Sequence, residues 1–188
     1  AWRWPHGLGG HVEVLSQVSA PPLLLLPHPE ESTGAMLENT DRVMALADHL
    51  QGDHALVRYA VRFTQPSGRL WLAHVEDEAD FERFLDAVSK VPAIDTDIAR
   101  DDIHAQLLKE PADYIETCRE ALKTARPDLT VEGIVTGGSH LAEYERLVEQ
   151  HELDLLVLHG RDDTQMAMHG RAYPLAVELR TTPLLLVG

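Results

Sequence analysis

The sequence predicts an α/β fold in which an open five-stranded parallel sheet carries helices on both faces. Short apolar runs of strand length alternate with longer stretches of helical periodicity, which is typical of parallel sheets. Between the last two apolar runs, a glycine-containing segment leads from a strand into a helix, as at the ligand-binding edge of many such sheets. Hydrophobic residues make up 44% of the 188 residues and charged residues 25%, as in ordinary globular proteins.

The first predicted element pair is a βαβ unit. Residues 43–47 are a short apolar run, which predicts a buried parallel strand that ends at Asp48. Asp53 is a favourable N-cap for the helix that follows, and residues 70–75 form the second strand. Such a unit is expected to cross over with a right hand.

The middle of the chain is predicted to be mostly helical. Residues 76–109 are acidic, with apolar residues spaced as in helices, and Pro111 fits the first position of a further helix. Residues 129–135 alternate between apolar and polar side chains, which predicts the third strand. Ser139 is then expected to cap the next helix.

The C-terminal part supplies the last two strands and the glycine-containing turn. Residues 154–158 predict the fourth strand, and residues 184–187 predict the fifth. Between them, a polar stretch begins at Gly160 and ends at Gly170, where a helix starts. Backbone amides converge at such a helix start and its dipole favours an anion, so this turn is a candidate phosphate site.

A sequence repeat links the two ends of the chain. Gly9 stands thirteen positions before Pro22, with a helical stretch between them and leucines after the proline. The same thirteen positions separate Gly170 from Pro183, again with a helix between and leucines after. Chance similarity between two short segments is one explanation, and duplication of a domain is the other.

Duplication would define the domain organisation. Residues 1–28 would be the C-terminal remnant of a preceding similar domain, residues 29–40 a linker, and residues 41–188 the principal domain. A start at Ala1 rather than methionine fits a fragment of a longer product.

Charge and cysteine content argue against several partners and compartments. The net charge of −15 would repel the phosphates of nucleic acids and of anionic membranes. The single cysteine, Cys118, cannot form an internal disulfide, so a reducing, cytoplasmic location is expected. No apolar run approaches the roughly 20 residues of a membrane span, so no direct membrane insertion is expected.

Four features of residues 41–188 together resemble the universal stress protein family. They are the aspartate that ends the first strand, the His-Val end of the second, the apolar fourth strand, and the glycine thirteen residues before the proline of the last strand. The resemblance implies a Rossmann-like fold and an adenine-nucleotide site, with an aspartate at the base and a loop around the ribose and phosphates. The residues to which it assigns this site are Asp48, Val75, Leu158, His159, Gly160, Gly170 and Arg171.

The loop departs from the family's G-x-x-G-x(9)-G-[S/T] pattern. His159 and Asp162 stand where two glycines are expected, and Arg171 replaces the final Ser or Thr. The glycines would allow close backbone approach to a ligand. A carboxylate a few Å from a phosphate charge is repelled by about 4 kcal/mol at an effective dielectric constant of 20. ATP affinity is therefore expected to be weakened or lost, while AMP remains open as a ligand.

Metal binding and catalysis are the other chemistries that the residues suggest. Asp48, His74 and His159 follow neighbouring strands, and such side chains can bind zinc. The chain has no tight pair such as His-x-x-x-His on one helix face, so solvated or hydrogen-bonded histidines are favoured over a metal site. No catalytic motif is visible, and no enzymatic activity is predicted.

The predicted function is that of a cytoplasmic, non-catalytic regulator with a degenerate adenine-nucleotide pocket. The resemblance implies pairing through the last strand, in a homodimer or a tandem pseudo-dimer. Residues 7–26 are a candidate partner for that strand, within the chain or between chains. The alternatives are a cytoplasmic regulatory domain of a membrane transporter and a functional ATP or AMP sensor.

Overall fold

The structure is a computed structural model that describes residues 7–19, 21–27, 39–47, 54–90, 96–162, 165–168, 170 and 172–188. Its helices are α1 (Gly10–Val18), α2 (His54–Phe63), α3 (Glu78–Ser89), α4 (Thr96–Ala125), α5 (His140–His151) and α6 (Ala172–Glu178). Its strands are β1 (Leu23–Leu25), β2 (Arg42–Leu46), β3 (Arg69–Asp77), β4 (Thr130–Gly138), β5 (Leu155–His159), β6 (Arg161–Asp162), β7 (Gln165–Met168) and β8 (Leu184–Val187). The predicted helix cap at Asp53 lies outside the described residues.

Six strands form one mixed sheet in the order β1-β8-β5-β2-β3-β4. Five neighbouring strands of this sheet are mutually parallel: β8, β5, β2, β3 and β4. They correspond to the five predicted strands. The prediction of a five-stranded, wholly parallel sheet was wrong, because β1 adds a sixth strand antiparallel to β8. Without β1, the buried apolar strand β8 would become the edge strand, and the backbone groups on its side away from β5 would be unpaired.

The central strand β2 explains why the apolar run at residues 43–47 is continuous. Val43 pairs with Leu70 of β3 on one side and with Leu155 of β5 on the other. Helices cover both faces of this part of the sheet, so neighbouring β2 side chains point alternately into two cores and both must be apolar. Residues 43–46 are accordingly at most 1% exposed.

The two faces of the sheet form separate apolar cores. On one face, α5 and α6 contribute Tyr144, Leu147 and Leu175, and Leu8 near the start of α1 joins them. On the other face, α2 and α4 pack their apolar sides onto the sheet. The core residues of α2 and of α5 recur at helical spacing, so each helix turns one apolar face to the sheet.

The long helix α4 differs from the prediction at its start. It runs for 30 residues and passes through Pro111, so the prediction that Pro111 begins a helix was wrong. The ring nitrogen of Pro111 cannot donate to the carbonyl of Leu107. The helix nevertheless packs one face onto the sheet, and this face carries Tyr114, Ile115, Cys118 and Leu122. Within the described part of the chain, no helix combines the length and apolar character needed to cross a bilayer.

The pairing of β1 with β8 follows the sequence repeat. Leu24 lies opposite Leu185, with one leucine pair on each side, Leu23 with Leu186 and Leu25 with Leu184. Aligning the repeat on its prolines also makes Leu24 equivalent to Leu185. The register is therefore symmetric about this central pair. Residues 7–26 pair with the last strand within the same chain, which is one of the two predicted arrangements; the other was pairing between chains.

Candidate functional site

The candidate site lies at the carboxyl ends of β2 and β5. The strands β2, β3 and β4 extend the sheet in one direction, whereas β5 and β8 lie on the opposite side of β2. Ligands of open α/β sheets bind in the crevice where the strand order reverses in this way. Asp48, predicted to contact adenine, and Arg171, predicted in the loop, both lie outside the described residues.

Two of the predicted site residues belong to the apolar core. Val75 near the end of β3 is 0% exposed and Leu158 near the end of β5 is 1% exposed. Both pack in the core that α5 and α6 cover. Their side chains form the floor beneath the carboxyl edge, and a ligand would reach them only if neighbouring residues moved.

Gly160 follows β5 directly and is bound to β8. Its backbone N–H donates to the carbonyl of Val187 at 2.7 Å. A Cβ atom added at Gly160 would lie 2.8 Å from Cβ of Leu186. The glycine is thus required by the close approach of two strands, and its amide is already used. The preceding residue, His159, is partly buried at the end of β5, opposite Val187 in the register.

The segment predicted to wrap a phosphate is partly a β-ribbon. Arg161 pairs with Met168 and Asp162 with Gln165, in an antiparallel arrangement. The polar stretch between Gly160 and Gly170 therefore contains a short paired ribbon. Gly170 follows the ribbon, is exposed, and has open space around the position of a Cβ atom. A phosphate-binding loop needs converging unpaired amides, and pairing leaves fewer of them.

Sequence reasoning did not anticipate a polar cluster at the end of β3. The first member is His74, whose side chain is 7% exposed. Its Nδ1 lies 2.7 Å from the carbonyl oxygen of Ala47 and its Nε2 lies 3.3 Å from Oε2 of Glu76. Since a carbonyl only accepts, Nδ1–H is the donor. His74 therefore links β3 to the end of β2.

The second member of the cluster is His140, the first residue of α5. Its Nε2 lies 2.7 Å from the carbonyl oxygen of Val75 and its Nδ1 lies 2.9 Å from Oδ2 of Asp77. Both neighbours are acceptors, so both contacts are hydrogen bonds only when the imidazole carries two protons. Oδ1 of Asp77 in turn accepts from the amides of Ala79 and Asp80 and caps α3.

This cluster shows that the acidic residues at the end of β3 are engaged in contacts within the fold. The side chains of Glu76 and Asp77 are each 23% exposed, and each has a histidine partner. One signal was available in the sequence, because His74 and Glu76 are two residues apart on a strand and share a face. The contact of Asp77 with His140 joins distant segments and has no local signal.

The described residues give the zinc alternative no support. No group of three or more His, Cys, Asp or Glu side chains among them is arranged to hold a metal ion. Both ring nitrogens of His74 already face acceptor oxygens of the protein. The third proposed ligand of that alternative, Asp48, lies outside the described residues.

A cavity of about 290 Å³ lies away from the carboxyl edge, between α1 and α6. It opens near the amino end of β8, where Thr182 and Leu184 line it. Leucine, valine and alanine side chains form most of its wall, together with Arg180. Its apolar character does not suit a nucleotide triphosphate, which needs several polar partners.

Several solved structures align with this fold over most of the chain. Hypothetical protein MJ0577 aligns with a TM-score of 0.62 and 13% identity, over 79% of this chain and 96% of that one. The universal stress protein UspA from Lactobacillus plantarum aligns with a TM-score of 0.57 and 17% identity, over 80% of this chain and 99% of that one. The chain has the universal stress protein fold.

A longer universal stress protein aligns with almost the whole chain. The protein from Archaeoglobus fulgidus gives a TM-score of 0.52 at 14% identity, over 92% of this chain but 53% of that one. The chain thus spans about half the length of that universal stress protein. No protein-family model matches the chain, and no curated protein matches it in sequence. At these identities the likeness establishes the universal stress protein fold and identifies no ligand.

Proposed function

We propose that the domain is a non-catalytic regulator of the universal stress protein type with a degenerate adenine-nucleotide pocket. It acts through dimerisation or partner binding rather than through a bound nucleotide. The observation that carries this proposal is the hydrogen bond from the Gly160 N–H to the carbonyl of Val187. At the start of the loop that the resemblance assigns to phosphates, this amide holds two strands together.

The charge and pairing of the following segment support the same conclusion. Asp162 pairs with Gln165 in the ribbon, and the resemblance assigns this acidic residue to the segment around the phosphates. The whole chain adds a net charge of −15, so the long-range field also opposes a triphosphate. A ligand with less phosphate charge, such as AMP, would meet less of this repulsion.

The proposal that the domain is not an enzyme rests on the contacts that the polar groups at the carboxyl edge make within the fold. A general acid or base must be within reach of a substrate proton. His74 instead joins β3 to the end of β2, and His140 joins β3 to α5. Each does so through a contact of 2.7 Å to a backbone carbonyl. These contacts account for both histidines, so no catalytic role is needed to explain them.

The pairing of β1 with β8 favours a tandem pseudo-dimer over a homodimer formed through β8. Universal stress protein domains pair through their last strand according to the resemblance, and β8 is the last strand here. That edge is already occupied by Leu23–Leu25 of the same chain. A second copy would have to displace β1 before its own β8 could pair there.

Thermal unfolding with nucleotides tests the pocket. The melting temperature is measured with millimolar ATP, and separately with AMP, each with and without Mg²⁺. A site filled to a hundred times its dissociation constant adds about 2.7 kcal/mol, which is several degrees for a domain of this size. We expect no rise with ATP. A rise with ATP would contradict the proposal, and a rise with AMP alone would identify an adenine sensor.

A further inference from the structure

The cavity between α1 and α6 is lined by residues from both ends of the described chain. Leu23 and Leu25 line it from β1, where alternate residues share one face of the strand. Val12 of α1 and Leu179, which follows α6, also line it. None of the described site residues at the carboxyl edge of the sheet belongs to this lining. The cavity is therefore a site separate from the candidate nucleotide pocket.

The cavity is larger than an ordinary gap in protein packing. Protein interiors contain few gaps larger than one water molecule, whereas this cavity measures about 290 Å³. That volume is about twice the volume of an engineered apolar cavity that stays dry and binds benzene. Two leucines of the wall remain in contact with solvent, since Leu15 is 46% exposed and Leu26 is 43% exposed. An apolar ligand with about twice as many non-hydrogen atoms as benzene would fill the space and remove apolar surface from water.

Arg180 adds one positive charge to this apolar lining. Its Nε–H donates to the carbonyl of Val177 at 2.9 Å, which holds the side chain close to the end of α6. Among the described lining residues, Arg180 is the one with a charge, and Thr182 is the one other residue with a polar side chain. A guanidinium can bind both oxygens of a carboxylate. A ligand with an apolar body and one carboxylate therefore matches the lining.

The same lining argues against other classes of small molecule. No aromatic side chain is among the described lining residues, so a nucleobase would find no ring to stack on. One arginine balances one negative charge, whereas a phosphate monoester carries close to two at neutral pH. The net charge of −15 would further oppose the second charge. An alkyl chain, by contrast, leaves no polar atom unpaired among leucines.

We propose that this cavity binds a medium-chain aliphatic carboxylate of about eight to ten carbon atoms. The alkyl chain lies between α1 and α6 against Leu23 and Leu25, and the carboxylate pairs with the guanidinium of Arg180. The cavity walls come from residues 7–27 on one side and residues 176–184 on the other. A bound ligand therefore also fastens the N-terminal segment to the principal domain.

Isothermal titration calorimetry of the 188-residue chain tests the proposal. The ligands are octanoate, 1-octanol and octylammonium, which share one alkyl chain and differ in the charge of the head group. We expect saturable binding of octanoate with a negative heat-capacity change, because apolar surface is buried. Octanoate should bind at least about tenfold more tightly than octanol because of the charged hydrogen bonds to Arg180. Octylammonium should bind most weakly.

Two substitutions locate the bound ligand. Arg180→Gln should lower the affinity for octanoate at least about tenfold and leave the affinity for octanol unchanged. Leu15→Glu places a carboxylate at a partly exposed position of the wall, so it should weaken octanoate binding by charge repulsion even if Arg180→Gln fails to fold. Arg62→Gln is the matched control, because Arg62 is an exposed arginine in the last turn of α2, and it should change neither affinity.

Amide hydrogen exchange gives a second readout that needs no substitution. Octanoate should slow exchange in α1 and β1, because the ligand fastens residues 7–27 to the domain. Absence of saturable binding, equal affinities for octanoate and octanol, or an octanoate affinity that neither substitution lowers would overturn the proposal. Self-association of the chain that Leu15→Glu dissociates, without octanoate binding, would overturn it in favour of a second copy as the occupant. Nucleotide binding changes none of these outcomes, so this proposal and the proposed function fail separately.

Discussion

Leu24 and Leu185 lie opposite each other at the centre of the β1–β8 pair, and they occupy the same position in the repeated segment. An antiparallel pair of equivalent strands about one central residue is what a two-fold interface between two copies produces. Here both strands belong to one chain. The structure therefore contains, within a single polypeptide, the contact that two separate domains would make.

Leu24→Glu is predicted to detach residues 7–27 from the rest of the fold. Leu24 packs against the core that α2 and α4 cover, and a carboxylate there would lose solvation without gaining a partner. We expect a loss of roughly 1–3 kcal/mol in unfolding free energy. Limited proteolysis should then cleave the N-terminal segment first. Val18→Glu, at a side chain 69% exposed, is the control and should leave cleavage unchanged.

Gly160→Ala is predicted to destabilise the domain. The added methyl group would lie 2.8 Å from Cβ of Leu186, so β5 and β8 would have to separate at this point. Overpacking of this kind costs about 1–3 kcal/mol, which denaturant unfolding measures. Gly170→Ala is the matched control, because nothing lies within 4 Å of its added atom. Equal effects of the two substitutions would show that the contact with Leu186 is not the reason for the glycine.

His140→Phe is predicted to loosen the junction of β3 and α5. The substitution removes the contacts at 2.7 Å to the carbonyl of Val75 and at 2.9 Å to Oδ2 of Asp77, so both oxygen atoms lose this partner. We expect a loss of about 1–3 kcal/mol in unfolding free energy. His54→Gln, at an exposed position in α2, serves as the control. A stability equal to that of the wild type would mean that water replaces both contacts.

Acid is predicted to destabilise the fold partly through His151. The ring of His151 lies 4.6 Å from the ring of Trp71, and burial of the imidazole lowers the pKa of His151 in the folded state. The unfolded chain then binds the proton more readily than the folded chain does. This residue therefore lowers the free energy of unfolding as the pH falls below about 6.5, the ordinary pKa of histidine. His151→Gln should lose less unfolding free energy between pH 7 and pH 5 than the wild type does. An equal or greater loss in the variant would contradict the sign of the shift.

Local patterns were sufficient to predict the central strands. The run at residues 43–47 is apolar throughout because β2 contacts a core on each face, and this requirement is visible in the sequence itself. The face of α5 that carries Tyr144 and Leu147 was predictable for the same reason, since its spacing matches the helical period.

Contacts between distant segments account for the errors. Pro111 has the local features of a helix start, but packing of Ile115 onto the sheet and the helical pattern before the proline continue α4 through it. Asp77 belongs to an acidic run, and only the folded chain brings His140 to it. The nucleotide site stays a prediction, and two of its residues, Asp48 and Arg171, lie outside the described residues.

The central claim is that β1 occupies, within the chain, the edge of β8 that a second copy would otherwise pair with. The most direct test is the oligomeric state of a chain of residues 39–188, measured by sedimentation equilibrium beside the full 188-residue chain. Removal of β1 exposes four buried apolar residues of β8 at an open edge. We predict a dimer for the shorter chain, dissociated by Leu185→Glu. A shorter chain that stays a folded monomer would contradict the claim.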